Sequence, residues 1–96
     1  MKKLTPDYQA RADIFKALGH PTRLFIVEML GDSEKCVQEL TDMIGCDMST
    51  VSRHLSVLKN CGIIQSEKNR NYIYYSLKIK CLNNFFACVN EVITHK

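Results

Sequence analysis

The sequence predicts a mainly α-helical single domain, residues 1–96, that carries one small β-hairpin. Three observations predict it. Apolar residues recur at helical spacing in segments punctuated by Gly and Pro. The period changes to an alternating one only after Gly62, in two short runs of β-formers. A chain of 96 residues with 46% hydrophobic side chains suffices for one modest core.

A first helix is predicted over residues 7–18 (DYQARADIFKAL), with Gly19 ending it. His20-Pro21-Thr22 opens a second, because proline in a first turn forfeits only an N–H that has no partner there. Leu24, Ile26, Val27 and Leu30 supply its apolar face, and Gly31 closes it. A third helix runs from about Cys36 to Ile44, with Val37, Leu40, Met43 and Ile44 at helical spacing and Gly45 as its stop. Cys46-Asp47-Met48 then leads into a fourth, STVSRHLSVLKN. Two short helices joined by a tight glycine-containing turn, here 36–60, outline a helix-turn-helix.

The fourth helix has two faces. Val51, Leu55 and Leu58 are spaced to pack inward, while Ser49, Ser52, Arg53 and Ser56 share the other side. Small hydroxyls flanking an arginine suit a helix that must enter a groove about 12 Å wide and bring donors to base edges. Serine is a mediocre helix former, so three on one exposed face point to a role other than stability. Residues 63–67 and 72–77 then form a hairpin around the turn KNRN, with Lys68 and Arg70 at its tip. A basic hairpin after a helix-turn-helix is a wing, here 63–77. The last helix, 79–94, carries a stripe of Leu82, Phe85, Phe86, Val89, Val92 and Ile93. That stripe exceeds what a small core covers, and pairing with a second copy buries it.

Charge follows the same division. Residues 48–80 hold six basic side chains and one acid, whereas the other 63 residues hold seven basic and nine acidic ones. A net +5 in one third of the chain is what a phosphate-binding surface needs. Against this stands the plainer reading of a solvated charged face on a winged helix that binds only proteins. No glycine-rich phosphate loop, nucleophile elbow or paired-carboxylate arrangement supports an enzyme. No apolar run approaches the ~18 residues of a membrane span, and MKKLTPDYQARADIF lacks the apolar stretch of a secretory signal. The expectation is a cytoplasmic protein with no membrane partner, whose five cysteines are free thiols.

"GHPTRLFIVEML", "CVQELTDMIGCDMSTVSRHLSVLKNCGII" and "NYIYYSL", in that order and spacing, resemble the arsenic-repressor (ArsR/SmtB) family of transcriptional repressors. The resemblance covers roughly residues 10–90. It implies a winged helix-turn-helix homodimer joined through the first and last helices (7–18 and 79–94). It also implies repression at an inverted-repeat operator, with no cofactor required for DNA binding, and release by an inducer. The DNA-reading residues it maps are Ser49, Thr50, Ser52, Arg53, His54 and Ser56, with Lys68 and Arg70 on the wing. His54 either faces the groove edge or is a structural histidine bonding the turn.

The resemblance leaves the inducer open. A thiolate site of the family begins the third helix as C-V-C, and here the stretch reads Cys36-Val37-Gln38. Lys35 and the helix N-terminus favour a thiolate at Cys36. The family's oxygen-and-nitrogen site on the last helix is mostly gone: Ile79 stands at its aspartate and Cys81 at its histidine, and its second pair falls near Val92 and His95. Sulfur takes their place. Cys81 and Cys88 lie seven residues apart, about 20° around a helix but about 10 Å along it. Two sulfurs on one ion sit within about 4.6 Å of each other, so one regular helix cannot bring both to it. Either Cys81 precedes the first regular turn, or Cys81 meets Cys88 of the partner subunit, or Cys36 completes the set. A site of Cys36, Cys81 and Cys88 suits As(III), Sb(III) or a soft divalent metal. The alternative is a redox or sulfide sensor in which two of the thiols are bridged. Cys46 and Cys61 read as packing or surface residues.

Overall fold

The structure, a computed structural model, describes residues 3–95. Its elements are α1 (Pro6–Leu18), α2 (Pro21–Asp32), β1 (Lys35–Cys36), α3 (Val37–Ile44), α4 (Met48–Asn60), β2 (Ile64–Asn69), β3 (Tyr72–Leu77) and α5 (Leu82–Thr94). The three strands form one antiparallel sheet in the order β1-β3-β2, with Ile64 opposite Leu77 and Cys36 opposite Tyr74.

Local chemistry sets the boundaries. His20 caps α2, its Nδ1 accepting the Thr22 N–H at 3.1 Å, and Pro21 follows in the first turn. Gly45 ends α3 in the left-handed conformation at φ 83°, where a side chain would be strained. Its N–H reaches the Thr41 carbonyl. Ile26 and Val27 of α2, Leu40 of α3, Val51, Leu55 and Leu58 of α4, and Ile63, Ile64 and Leu77 of the wing are buried together. The core therefore fixes the helix-turn-helix and the wing to each other as well as to α2.

Four expectations need correction. The helix α2 runs past Gly31 to Asp32, because Gly31 gives room to α5 and does not act as a stop. Leu24 and Met43, read as inward-facing, are exposed, whereas the last helix's stripe, with only Phe86 buried, is left uncovered as expected. The last helix begins at Leu82, so Ile79, Lys80 and Cys81 form its approach, with Cys81 as the residue before the first full turn. Finally, β1 adds a third strand that pairs with β3 and carries the start of α3 against the wing.

Gly31 is the tightest close approach. A Cβ at this position would sit 2.4 Å from Nδ2 and 2.9 Å from Cγ of Asn83. Alanine gains about 1 kcal/mol in helix propensity, but overpacking costs about 1–3 kcal/mol. We therefore expect Gly31→Ala to be net destabilising by about 1 kcal/mol, lowering the melting temperature by about 4–8 °C. A melting temperature at or above wild type would mean that Asn83 swings away freely.

Candidate nucleic-acid interface and thiols

The recognition element is α4. Its Val51, Leu55 and Leu58 have essentially no exposed surface, whereas Ser49, Ser52, Arg53 and Ser56 are exposed and Thr50 is half-buried. The turn from α3 is tied down by Asp47, whose carboxylate accepts hydrogen bonds from the Ser49 and Thr50 hydroxyls. Those two bonds, Ser49 first, hold the Asp47 carboxyl below the usual aspartate range. With their protons given to Asp47, the Ser49 and Thr50 hydroxyls keep only acceptor capacity. On the wing, Lys68 is exposed on β2, and Arg70 stands at the turn in the left-handed region at φ 59°.

His54 faces α2, and among the described residues it makes no bond to the turn before α4. It is half-buried against α2, its ring centroid 4.5 Å from that of His20 and its Nδ1 3.3 Å from Arg23 Nη1. Arg23 in turn donates from Nε to the Ala17 carbonyl near the end of α1, at 2.6 Å. Burial, then neighbouring His20, Arg23 and Arg53, hold the His54 pKa below the usual histidine value. His54 accepting from Arg23 at Nδ1 is consistent with a neutral ring protonated at Nε2. Sequence spacing gave no signal for this cluster, since its closest contact joins residues 31 positions apart.

The five cysteines separate into three environments. Cys36 is buried at the start of α3, where Glu39 Oε1 accepts its N–H at 3.0 Å. The Glu39 carboxyl is held below its usual range first by that N–H and then by the Cys36 thiol, so this sulfur is engaged in a helix cap. Cys46 and Cys61 are half-buried against the core, and the Cys61 thiol donates to the Leu58 carbonyl at 3.4 Å. Cys81 and Cys88 are exposed. Among the described residues of one protomer, Cys36, Cys81 and Cys88 do not converge, and no three His, Cys, Asp or Glu side chains form a metal-binding group.

The exposed face of α5 is apolar around its thiols. Phe85, Val89, Val92 and Ile93 are open to solvent, and Phe85 meets Phe15 of α1 edge to face at 5.8 Å between centroids. Cys81, Phe85, Cys88 and Val92 fall at i, i+4, i+7 and i+11, one strip of the helix surface.

The family model of bacterial regulatory proteins of the arsR family matches residues 20–66. Over 86 residues, 88% of this chain and 97% of the relative, the sequence is 33% identical to an uncharacterised helix-turn-helix-type transcriptional regulator of Methanocaldococcus jannaschii. The chain belongs to the ArsR family. This ArsR-family chain is also 30% identical over 89 residues, 92% of its length and 78% of the other's, to the regulator Rv0081 of Mycobacterium tuberculosis. The crystal structure of Rv0081 superposes with a TM-score of 0.84 at 29% identity, covering 96% of this chain and 93% of that one. The fold is also that of a homodimeric winged helix-turn-helix DNA-binding domain from Mycobacterium bovis, with a TM-score of 0.81 at 24% identity and coverage of 98% and 91%. The ArsR-family chain is thus a transcriptional repressor with a winged helix-turn-helix and not an enzyme, and among the described residues no helix is long and apolar enough to cross a membrane.

Proposed function

We propose that this chain represses as a homodimer on an inverted-repeat operator and is released when a thiophilic ion, As(III) or Sb(III) first, is captured by Cys36, Cys81 and Cys88. What carries this reading is the division of its exposed surface. One part is the hydroxyl-and-arginine strip of α4 with the basic wing, and the other is the apolar face of α1 and α5, in which two thiols are embedded. The first suits a major groove, and two copies joined through the second would present recognition helices about one helical turn of DNA apart. The M. bovis domain with the same fold is homodimeric, which supports the same assembly here.

The thiols couple the two surfaces. Cys81 and Cys88 lie on the strip that a second α5 would cover, within reach of Cys88 and Cys81 of the partner subunit if the helices cross. Cys36 is withdrawn into its cap with Glu39. A three-thiolate site therefore forms only if the start of α3 opens or α5 shifts, and either movement displaces the helix-turn-helix relative to the dimer helices. An ion that binds the displaced arrangement more tightly weakens DNA binding by that difference in affinity. The second reading, a redox or sulfide sensor, is favoured by the exposure of both α5 thiols.

Fluorescence anisotropy on the DNA upstream of its own gene tests both. Under reducing conditions, stoichiometric arsenite is expected to release wild-type protein. The variants Cys36→Ser, Cys81→Ser and Cys88→Ser are each expected to bind DNA normally and lose at least about tenfold in arsenite response, or about 1.4 kcal/mol of coupling. Release of all three variants by arsenite would sink the metalloid site. Release by oxidant alone, with an intact mass lowered by the hydrogens of a disulfide, would establish the redox reading in its place.

A further inference from the structure

Beside the groove-facing strip of α4 lies a second strip, Thr50, Arg53, His54 and Val57, at i, i+3, i+4 and i+7. With Arg23 of α2 it lines an open recess of about 380 Å³. Two arginines and a histidine line the recess: Arg23 Nη1 meets His54 Nδ1 at 3.3 Å, and the His20 ring lies 4.5 Å from the His54 ring, tilted at 48°. Among the described residues the one ion pair is Arg11 with Asp7, so neither Arg23 nor Arg53 has a carboxylate partner. Arg23 is nevertheless held in place. Its Nε is fixed on the Ala17 carbonyl and its Nη1 on His54, while no protein acceptor is recorded for Nη2 among the described residues. An arginine held at Nε and Nη1 with Nη2 open, beside a second arginine, is arranged for a tetrahedral oxyanion.

Position decides which oxyanion. A helix with its side chains is about 10–12 Å across and the major groove is about 12 Å wide, so a helix reading base edges with one strip presses its flanks against the sugar-phosphate walls. Arg53 belongs both to the strip that faces the bases and to the recess. We propose that the recess formed by Arg23, Thr50, Arg53 and His54 seats a backbone phosphate of the bound duplex, so that α2 shares directly in holding DNA.

This rests on the DNA-binding reading of α4 and adds a contact outside the helix-turn-helix and the wing. The phosphate positions the protein and carries no sequence information. It also reverses the titration of His54. In the free protein burial, then His20 at the N-cap of α2, Arg23 of α2 and Arg53 of α4 itself, disfavour the charged form of His54. Stability of the free protein therefore falls as pH drops from the ordinary histidine value toward the lowered one. A phosphate in the recess favours imidazolium: His54 Nδ1 gains a proton, releases the Arg23 Nη1–H and donates to the phosphate, which Arg23 Nη1 then meets as well, so DNA binding takes up a proton and strengthens as pH falls.

The test uses full-length protein and a non-specific 24-base-pair duplex, with affinity measured against KCl concentration and pH. Arg23→Gln is expected to weaken binding and to flatten the slope of log affinity against log salt by about 0.9, the value for one phosphate lost. Arg23→Lys is expected to restore the slope, since a phosphate needs the charge, whereas bridging Ala17 and His54 needs the guanidinium fork. Wild type is expected to bind more tightly at pH 5.5 than at pH 8, and His54→Gln to lose that gain. A wild-type slope in Arg23→Gln, with melting unchanged, overturns the proposal. If Arg23→Gln does not fold, the His54→Gln pH profile decides alone, and an unaltered profile overturns it. A His54 ring signal that moves with sodium phosphate but not with duplex also overturns it, assigning the recess to free phosphate. Failure of wild type to bind any duplex would instead remove the DNA-binding reading itself.

Discussion

Phe85→Glu is expected to convert the dimer to a monomer and to lower operator affinity by about 10²–10⁴-fold, the gain that linking two half-site binders confers. Phe85 is 44% exposed in one protomer and shares its patch with Phe15 at 58% and Val92 at 68%. Aromatic rings of this size bury 150–250 Å² at an interface, at roughly 25 cal/mol for each Å². A glutamate there forfeits that burial and places two like charges near the two-fold axis. Because Phe85 and Phe15 already touch within a protomer, the substitution also loosens α5 from α1. Sedimentation velocity reads the first effect and anisotropy the second. A variant that stays dimeric and binds the operator at wild-type affinity would remove α1 and α5 from the interface.

The second large effect lies in the core. Leu55→Ala is expected to destabilise the domain by about 2–5 kcal/mol. Leu55 is buried to 1% exposure and lies between the flanking core positions Val51 and Leu58 on the inward strip of α4. Against a total stability of about 5–15 kcal/mol, such a loss is a large fraction of the whole. The melting temperature is expected to fall by at least about 8 °C at 4–8 °C per kcal/mol. Ser56→Ala, one residue further on but exposed, is expected to stay within about 0.5 kcal/mol of wild type. Equal melting temperatures for the two variants would show that α4 is not held by this face.

Much of this was legible in the sequence, for identifiable reasons. The two faces of α4 follow from spacing alone, because burial in a helix-turn-helix is imposed by helical periodicity. Pro21, Gly19 and Gly45 mark helix ends through backbone chemistry that needs no tertiary partner. Where partners decide, the reading failed. Gly31 looked like a stop because nothing local distinguishes a terminating glycine from one that makes room for Asn83. The strand β1 is two residues long and exists only because β3 lies beside it. His54 was ambiguous because its position depends on Arg23 and His20, both on another helix. Sequence cannot show that Cys36 faces inward while Cys81 and Cys88 face out.

On α4, the positions that hold the domain together and the positions proposed to meet the base edges are different residues. Val51, Leu55 and Leu58 bear the packing, and Ser49, Ser52 and Ser56 are exposed. A change of operator preference can therefore accumulate one exposed residue at a time without passing through an unfolded intermediate sequence. Duplicated copies of such a gene are free to diverge toward new promoters while keeping one scaffold. Arg53 is the exception: it stands in both the base-facing strip and the recess, and so is the position at which such divergence is most constrained.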